Sequence, residues 1–217
     1  MDQPSDPMAA ATHADPYRYY AELVAHRPAY RDDALGLWVA ASADAVTAVL
    51  KSDLTRVRPA AEPVPRALLG SAAGEIFGQL VRMNDGAMHM RMKPGVSSKL
   101  TSLDPTRVAG QAGAWARHLT DELEPAAHAA RITDFAFRLP VYVVASLLGV
   151  APANLAQTAS WVSDFVRCLA PASTPEQIVQ GQAAAEHLAQ QFRSLLPRES
   201  RGSLIVIIIM AVVIVWL

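Results

Sequence analysis

The chain has 217 residues, of which 52% are apolar and 18% charged, with 19 basic and 20 acidic side chains and a net charge of −1. That length sustains one sizeable core, the composition is not that of a disordered chain, and the balanced charge offers no field for nucleic acid or acidic lipid. The lone cysteine, Cys168, excludes an intramolecular disulfide and any multi-cysteine zinc site.

Residues 1–14 read as a flexible lead-in, with no basic stretch followed by an apolar run. The segment is therefore not a secretory signal, and a reducing, cytoplasmic setting is expected for the main body. DPYRYYAELVAHRP predicts a helix with Asp15 as N-cap, Pro16 at its first position and Pro28 as its stop. PAYRDDALGLWVAAS predicts a β-hairpin, with Ala29–Arg31 and Leu37–Ala40 as strands and a turn near Gly36. In SADAVTAVLKS, Ser42 caps a helix whose apolar stripe is Val46, Val49 and Leu50. From Asp53 to Leu69, Pro59, Pro63 and Pro65 predict irregular chain or a short helix.

Further helices are expected near Ala87–Leu100 and from Asp104 to Leu123, the second with Pro105 at its start and Pro125 just past its end. TDFAFRLPVYVVASLLGV predicts a strongly apolar helix, capped by Thr133 or Asp134 and closed by Gly149. It is the candidate for the most buried element, and Pro140 either bends it or marks its first turn. Two amphipathic helices separated by APAST, residues 170–174, complete the set. The expected fold class is mainly α with a small β-hairpin near the N-terminus.

Residues 203–217, SLIVIIIMAVVIVWL, differ from everything before them. They carry no charge and hold five isoleucines, against three in the preceding 202 residues. A β-branched run of this kind disfavours a soluble helix and favours a buried strand or lipid. The 14 residues from Leu204 would reach about 21 Å as a helix, against a hydrocarbon core of about 30 Å, short for a comfortable span. Association with a membrane is therefore expected only through 203–217, with Arg198 and Arg201 keeping the body on the cytoplasmic side.

The chemistry concentrates in NDGAMHMRMK, residues 84–93, where His89, Arg91 and Lys93 alternate with methionines. His89 and Lys93 are four apart and share a helix face, whereas Arg91 points elsewhere. A His/Arg/Lys run with a preceding acid is most often a solvated helix face. Pro94 and Gly95 directly behind Lys93 predict a kink or break there. His118, His128 and His187 have no metal-ligand spacing and read as surface residues.

Several of these segments together resemble the cytochrome P450 family of soluble bacterial type. DPYRYYAELVAHRP, GLWVAAS and a helix ending AVLKS resemble the start of such proteins. DGAMHMRMKPGVSSKL resembles the family's D-P-P-x-H-x-R-x-R-R-x-V-S stretch, with Asp85, His89, Arg91, Val96, Ser97 and Leu100 in register. Gly86 and Ala87 replace its two prolines, and Lys93 stands for an arginine. DFAFRLPVYVVASLLGVAPANL resembles the helix and turn that follow later in the family. The resemblance runs from Asp15 to about Pro197. It implies a partial cytochrome P450 domain over 15–197, from the A to the G helix, with 198–217 an apolar tail of anomalous composition.

The resemblance further implies haem as cofactor, with His89 and Lys93 donating to a haem propionate. Val81, Met83, Phe165 and Val166 would fall in substrate-facing regions, with core packing the competing role. It implies insertion of one oxygen atom of O2 into a small apolar organic substrate, with electrons from a ferredoxin-type or flavin partner. The family's I helix, its Glu-x-x-Arg pair and the loop bearing the axial cysteine thiolate find no match in this sequence. Cys168, in DFVRCLAP, lacks that loop's glycines. No catalytic or metal-binding residue is therefore expected here, and the chain alone is expected to be a catalytically incomplete fragment. Two other readings are a non-catalytic helical protein anchored by its C-terminal run, and a subunit completed in trans by a separate C-terminal half.

Overall fold

The structure, a computed structural model, describes residues 3–170 and 173–195. The chain divides into two compact units, Met1–Arg56 and Val57–Leu217. The apolar run at 203–217 lies outside the described residues.

In the first unit, the lead-in contains a turn of helix, α1 (Pro7–Ala11). Asp6 caps it by accepting from the amides of Met8 and Ala9 at 2.9 and 2.8 Å. The Ala9 bond leads the contacts that hold the Asp6 carboxyl below its ordinary range. Helix α2 (Tyr17–His26) has Pro16 at its N-cap position and no side-chain cap. The expected cap, Asp15, does not serve, and its own amide donates to His13 Nδ1 at 3.1 Å.

Strands β1 (Ala29–Asp32) and β2 (Leu37–Ala40) form the expected antiparallel hairpin, with Tyr30 opposite Val39 and Arg31 opposite Trp38. Gly36, at φ +66°, supplies the left-handed position the turn requires. The Asp32 carboxylate accepts from the Leu35 amide at 3.1 Å inside the same turn. The Arg27 guanidinium lies 3.7 Å over the Tyr30 ring. Helix α3 (Ala43–Lys51) starts as expected, with Ser42 Oγ accepting from the Ala45 amide at 3.2 Å. Its apolar stripe forms too, but no residue of the helix is buried.

The second unit is helical. Helix α4 (Ala72–Gly78) follows a 3₁₀ turn at Arg66–Leu68, and α5 (Gly86–Thr101) follows another at Val81–Met83. Then come α6 (Pro105–Leu123), α7 (Ile132–Leu147), α8 (Leu155–Arg167) and α9 (Pro175–Leu195). Asp104 caps α6 by accepting from the Thr106 amide at 2.9 Å. Helix α8 packs on α9, α6 on α7, α7 on α8 and α4 on α9. Leu80, Leu119, Val141, Leu155, Phe165 and Leu188 are fully buried members of the resulting core.

Three expectations need correction. Helix α5 runs through Pro94 without a break. The carbonyl of Met90, which loses an amide partner there, belongs to a residue 70% exposed, so water can take the missing bond. Helix α7 is not capped by Thr133 or Asp134, because a 3₁₀ turn at Ala129–Arg131 runs directly into it and the chain is already helical at both positions. Pro140 sits inside α7, and burial is confined to Val141–Ala145 just beyond it. The shorter α8 buries more of itself, at Leu155, Thr158, Ala159, Val162, Phe165 and Val166, so α7 is not the most buried element.

Helices α8 and α9 approach closely where Gly181 faces Cys168. A Cβ on Gly181 would lie 2.5 Å from Cys168 Sγ and 2.9 Å from the Asp164 carbonyl oxygen.

Candidate functional site

The candidate site is the N-terminal half of α5 and the turn that leads into it. Asn84 fixes that turn. Its side-chain amide donates to the carbonyls of Gly78 at 3.0 Å and Leu80 at 2.8 Å. Asp85 stands at the N-cap position of α5 but makes no capping bond. Its carboxylate instead accepts from the Val57 amide at 3.0 Å, tying two segments 28 residues apart. Gly86 follows at φ +55°, a conformation that favours glycine.

His89 is half-buried, and its Nδ1 lies 3.3 Å from the Val81 carbonyl oxygen. A carbonyl only accepts, so this contact requires Nδ1–H. The turn at Val81–Met83 thereby orients the imidazole and leaves Nε2 for another partner. Lys93, one turn on, is exposed. Arg91 turns to Met88, with Nη2 2.9 Å from the sulfur. Helix α5 contains no acidic residue, and among the described residues neither His89 nor Lys93 forms an ion pair. The arrangement is a cationic helix face with one preset ring and no carboxylate of its own. It suits an external carboxylate, which would take charge-assisted bonds from both side chains.

Of the residues expected to face a substrate, Phe165 is fully buried and Val166 nearly so, both inside the core. Met83 packs against that core as a partly buried neighbour, and Val81 is half-buried. A cavity of about 330 Å³ is lined by Gln157, Trp161, His187 and Gln191, among others, and one of about 220 Å³ by Asp134, Arg138, Ser160 and Arg167, among others. None of the four expected pocket residues lines either one.

Cys168 is buried, and its thiol donates to the Phe165 carbonyl at 3.0 Å. Burial pushes its pKa from the ordinary 9.0 up to about 11. Among the described residues, no three His, Cys, Asp or Glu side chains are grouped to hold a metal ion. His118, His128 and His187 have local partners: His118 lies 3.5 Å from Glu122, His128 lies 3.7 Å from Glu124, and His187 stacks on Trp161 at 4.9 Å.

Sequence reasoning singled out His89 and Lys93 and gave no signal for Asn84 or the Val81 carbonyl. Contacts that span a turn and end on main-chain carbonyls leave no pattern in side-chain chemistry.

No family model matches the chain. Among curated proteins it is similar to the biotin biosynthesis cytochrome P450 of Bacillus subtilis, 22% identical over 190 residues that cover 86% of this chain and 47% of that protein. It is also similar to a protein described as cytochrome P450 133B2 of Xylella fastidiosa, 25% identical over 121 residues, covering 55% and 30%. Among solved structures, CalO2 superposes with a TM-score of 0.66 and 23% identity over 97% of this chain and 53% of that one. P450BioI, solved with an acyl carrier protein ligated to hexadec-9Z-enoic acid, superposes with a TM-score of 0.67 and 20% identity over 91% and 57%. The fold is thus that of about half of a cytochrome P450, and the chain spans half or less of the curated relatives it matches. Curated and structural neighbours alike point to the cytochrome P450 family.

Proposed function

We propose that this chain is the N-terminal part of a cytochrome P450-type haem monooxygenase, and that α5 supplies the cations that hold the haem carboxylates. One observation carries the reading. On this fold, an acid-free helix presents His89 and Lys93 one turn apart, with the imidazole already oriented by the Val81 carbonyl. When bound, haem supplies the chemistry by which one oxygen atom of O2 is inserted into an organic substrate. The chain's own part is to bind and orient. With Nδ1–H engaged by Val81, a carboxylate at His89 takes its bond from Nε2–H of the imidazolium, and Lys93 adds a second charged donor.

Val81 and Met83 precede the clamp and keep some exposed surface, which favours them as the substrate-facing pair, while Phe165 and Val166 are taken up by core packing. The substrate is a small apolar organic molecule, and electrons come from a ferredoxin-type or flavin partner. The setting is cytoplasmic, which fits bacterial relatives of soluble type; among the described residues no helix is long and apolar enough to cross a membrane. Cys168 is not the iron's thiolate, so the 217 residues alone do not turn over substrate. Reduced protein with haem and carbon monoxide gives no thiolate-type Soret band, and observing one overturns the fragment reading.

The clamp is tested by titrating haem, and haem dimethyl ester, into the 217-residue chain. Removal of one charge-assisted bond costs about 1.5–3 kcal/mol, or roughly tenfold or more in affinity. Haem should therefore bind at least about that much more weakly to Lys93→Ala and His89→Asn, while His89→Gln, whose amide reaches the Nε2 position, loses less. The ester, which has no carboxylate, should not distinguish the variants. Equal losses for haem and ester would sink the clamp.

A further inference from the structure

The start of α8 and the end of α9 enclose a cleft that the haem reading does not use. It is the cavity of about 330 Å³, walled by the side-chain amides of Asn154, Gln157, Gln190 and Gln191 and by the rings of Trp161 and His187. No Lys, Arg, Asp or Glu lines it, and His187 is its only titratable group. The Ser194 hydroxyl at its mouth is engaged by the Gln191 carbonyl at 2.6 Å.

The inner wall is preset. Thr158 is fully buried, and its hydroxyl is shared between the Asn154 carbonyl at 2.8 Å and Gln191 Oε1 at 3.1 Å. One buried group thus pins the Gln191 amide to the start of α8, and Gln191 Nε2 keeps no partner among the described residues. The side-chain amides of Asn154, Gln157 and Gln190 are exposed and likewise make no bond among the described residues. Trp161 and His187 stack with centroids 4.9 Å apart and planes 16° from parallel. That geometry is an offset stack, so each ring keeps part of a face uncovered.

These walls select a ligand by its chemistry. A phosphate, carboxylate or ammonium group calls for a charged partner, and the cleft offers no acid, lysine or arginine. An amide presents a donor and an acceptor side by side. It pairs with a heterocycle edge that carries the same two groups in reverse, as Asn and Gln do with adenine. Aromatic side chains hold the face of such a ring by stacking, whereas a polyol has neither a flat face nor a fixed edge. We infer that this cleft is a binding site for a neutral planar heterocycle of the nucleobase class, stacked on the Trp161–His187 pair and read at its edge by the amides. Its volume is at the low end for small-molecule sites, which suits one base or nucleoside and not a dinucleotide. The inference does not rest on the cytochrome P450 reading, and α5 takes no part in it.

The test is calorimetric titration of adenosine into the 217-residue chain. One saturable site is expected, with Kd below about 1 mM. Trp161→Ala should weaken binding about tenfold or more through lost stacking. Gln157→Ala and Gln190→Ala should each weaken it about threefold or more. Both are exposed and make no bond among the described residues, so they keep the test sound should Trp161→Ala fold poorly. N6,N6-dimethyladenosine, which lacks the edge donor, should bind more weakly than adenosine, and adenosine monophosphate no more tightly. Methyl glucoside should not bind. Absence of a saturable site overturns the inference, as does binding that neither glutamine variant changes. Tighter binding of the monophosphate would move the site to a cation elsewhere, and equal binding of the glucoside would assign the cleft to a polyol; either overturns it. His89→Ala should bind adenosine like the parent chain, so failure of the haem clamp shows in the comparison of haem with its ester and not here.

Discussion

Cys168 and Gly181 act as one constraint. The thiol occupies the space that the missing glycine side chain leaves, and the same burial raises its pKa. The raised value has a consequence for stability. Below pH 9.0 the thiol is protonated in the folded and unfolded chains alike. Between 9.0 and about 11 the unfolded chain ionises while the folded one stays protonated, so the folded state binds more protons and loses stability as pH rises. Denaturant midpoints should therefore fall more steeply over that window in the parent chain than in Cys168→Ala. Gly181→Ala should lower the melting temperature through overpacking worth about 1–3 kcal/mol. Cys168→Ala should not rescue it, because the added methyl also meets the Cβ at position 168 and the Asp164 carbonyl. That Cys168 lacks the glycines of a ligand loop was readable from its sequence surroundings. That it closes a contact with a glycine 13 positions on was not, because nothing local marks which helix will approach.

Helix α5 carries the sharpest disagreement between local propensity and structure. Pro94 and Gly95 read as a stop, and the helix continues for six residues beyond Gly95. Exposure explains the tolerance, since the unbonded carbonyl belongs to the largely exposed Met90 and nothing lies within 4 Å of where a Cβ on Gly95 would stand. The helix should therefore gain stability from Gly95→Ala, about 1 kcal/mol, measurable as a rise in the denaturation midpoint. Elsewhere the punctuation was legible where a side chain had an amide to bond, as at Ser42 and Asp104. It misled at Asp15, where Pro16 holds the cap position, and at Thr133 or Asp134, where the helix had already begun. Periodicity located α3 and its stripe correctly. It carries no information on whether the partner of that stripe lies within the chain.

At the scale of the whole molecule, the order of elements was legible because each resembles its counterpart along one known fold, from the first helix to α9. The His89–Lys93 spacing was legible for the same reason. The division at Arg56 and Val57 was not, since no glycine- or serine-rich linker or charge run marks it. Nor was the scarcity of burial in the first unit, because sequence patterns show which residues would be buried given a partner and not whether the partner is present. Taken as a body, the second unit owns a core of its own, while the first presents its best apolar helix to water.

That outward stripe bears on how long such a chain lasts in a cell. Ordered apolar side chains left in water are the surface that chaperones hold and that aggregation exploits. A ligand that binds only the folded form and covers such a surface stabilises it by RT ln(1 + L/Kd), where L is the free ligand concentration, a gain that grows with the logarithm of that concentration.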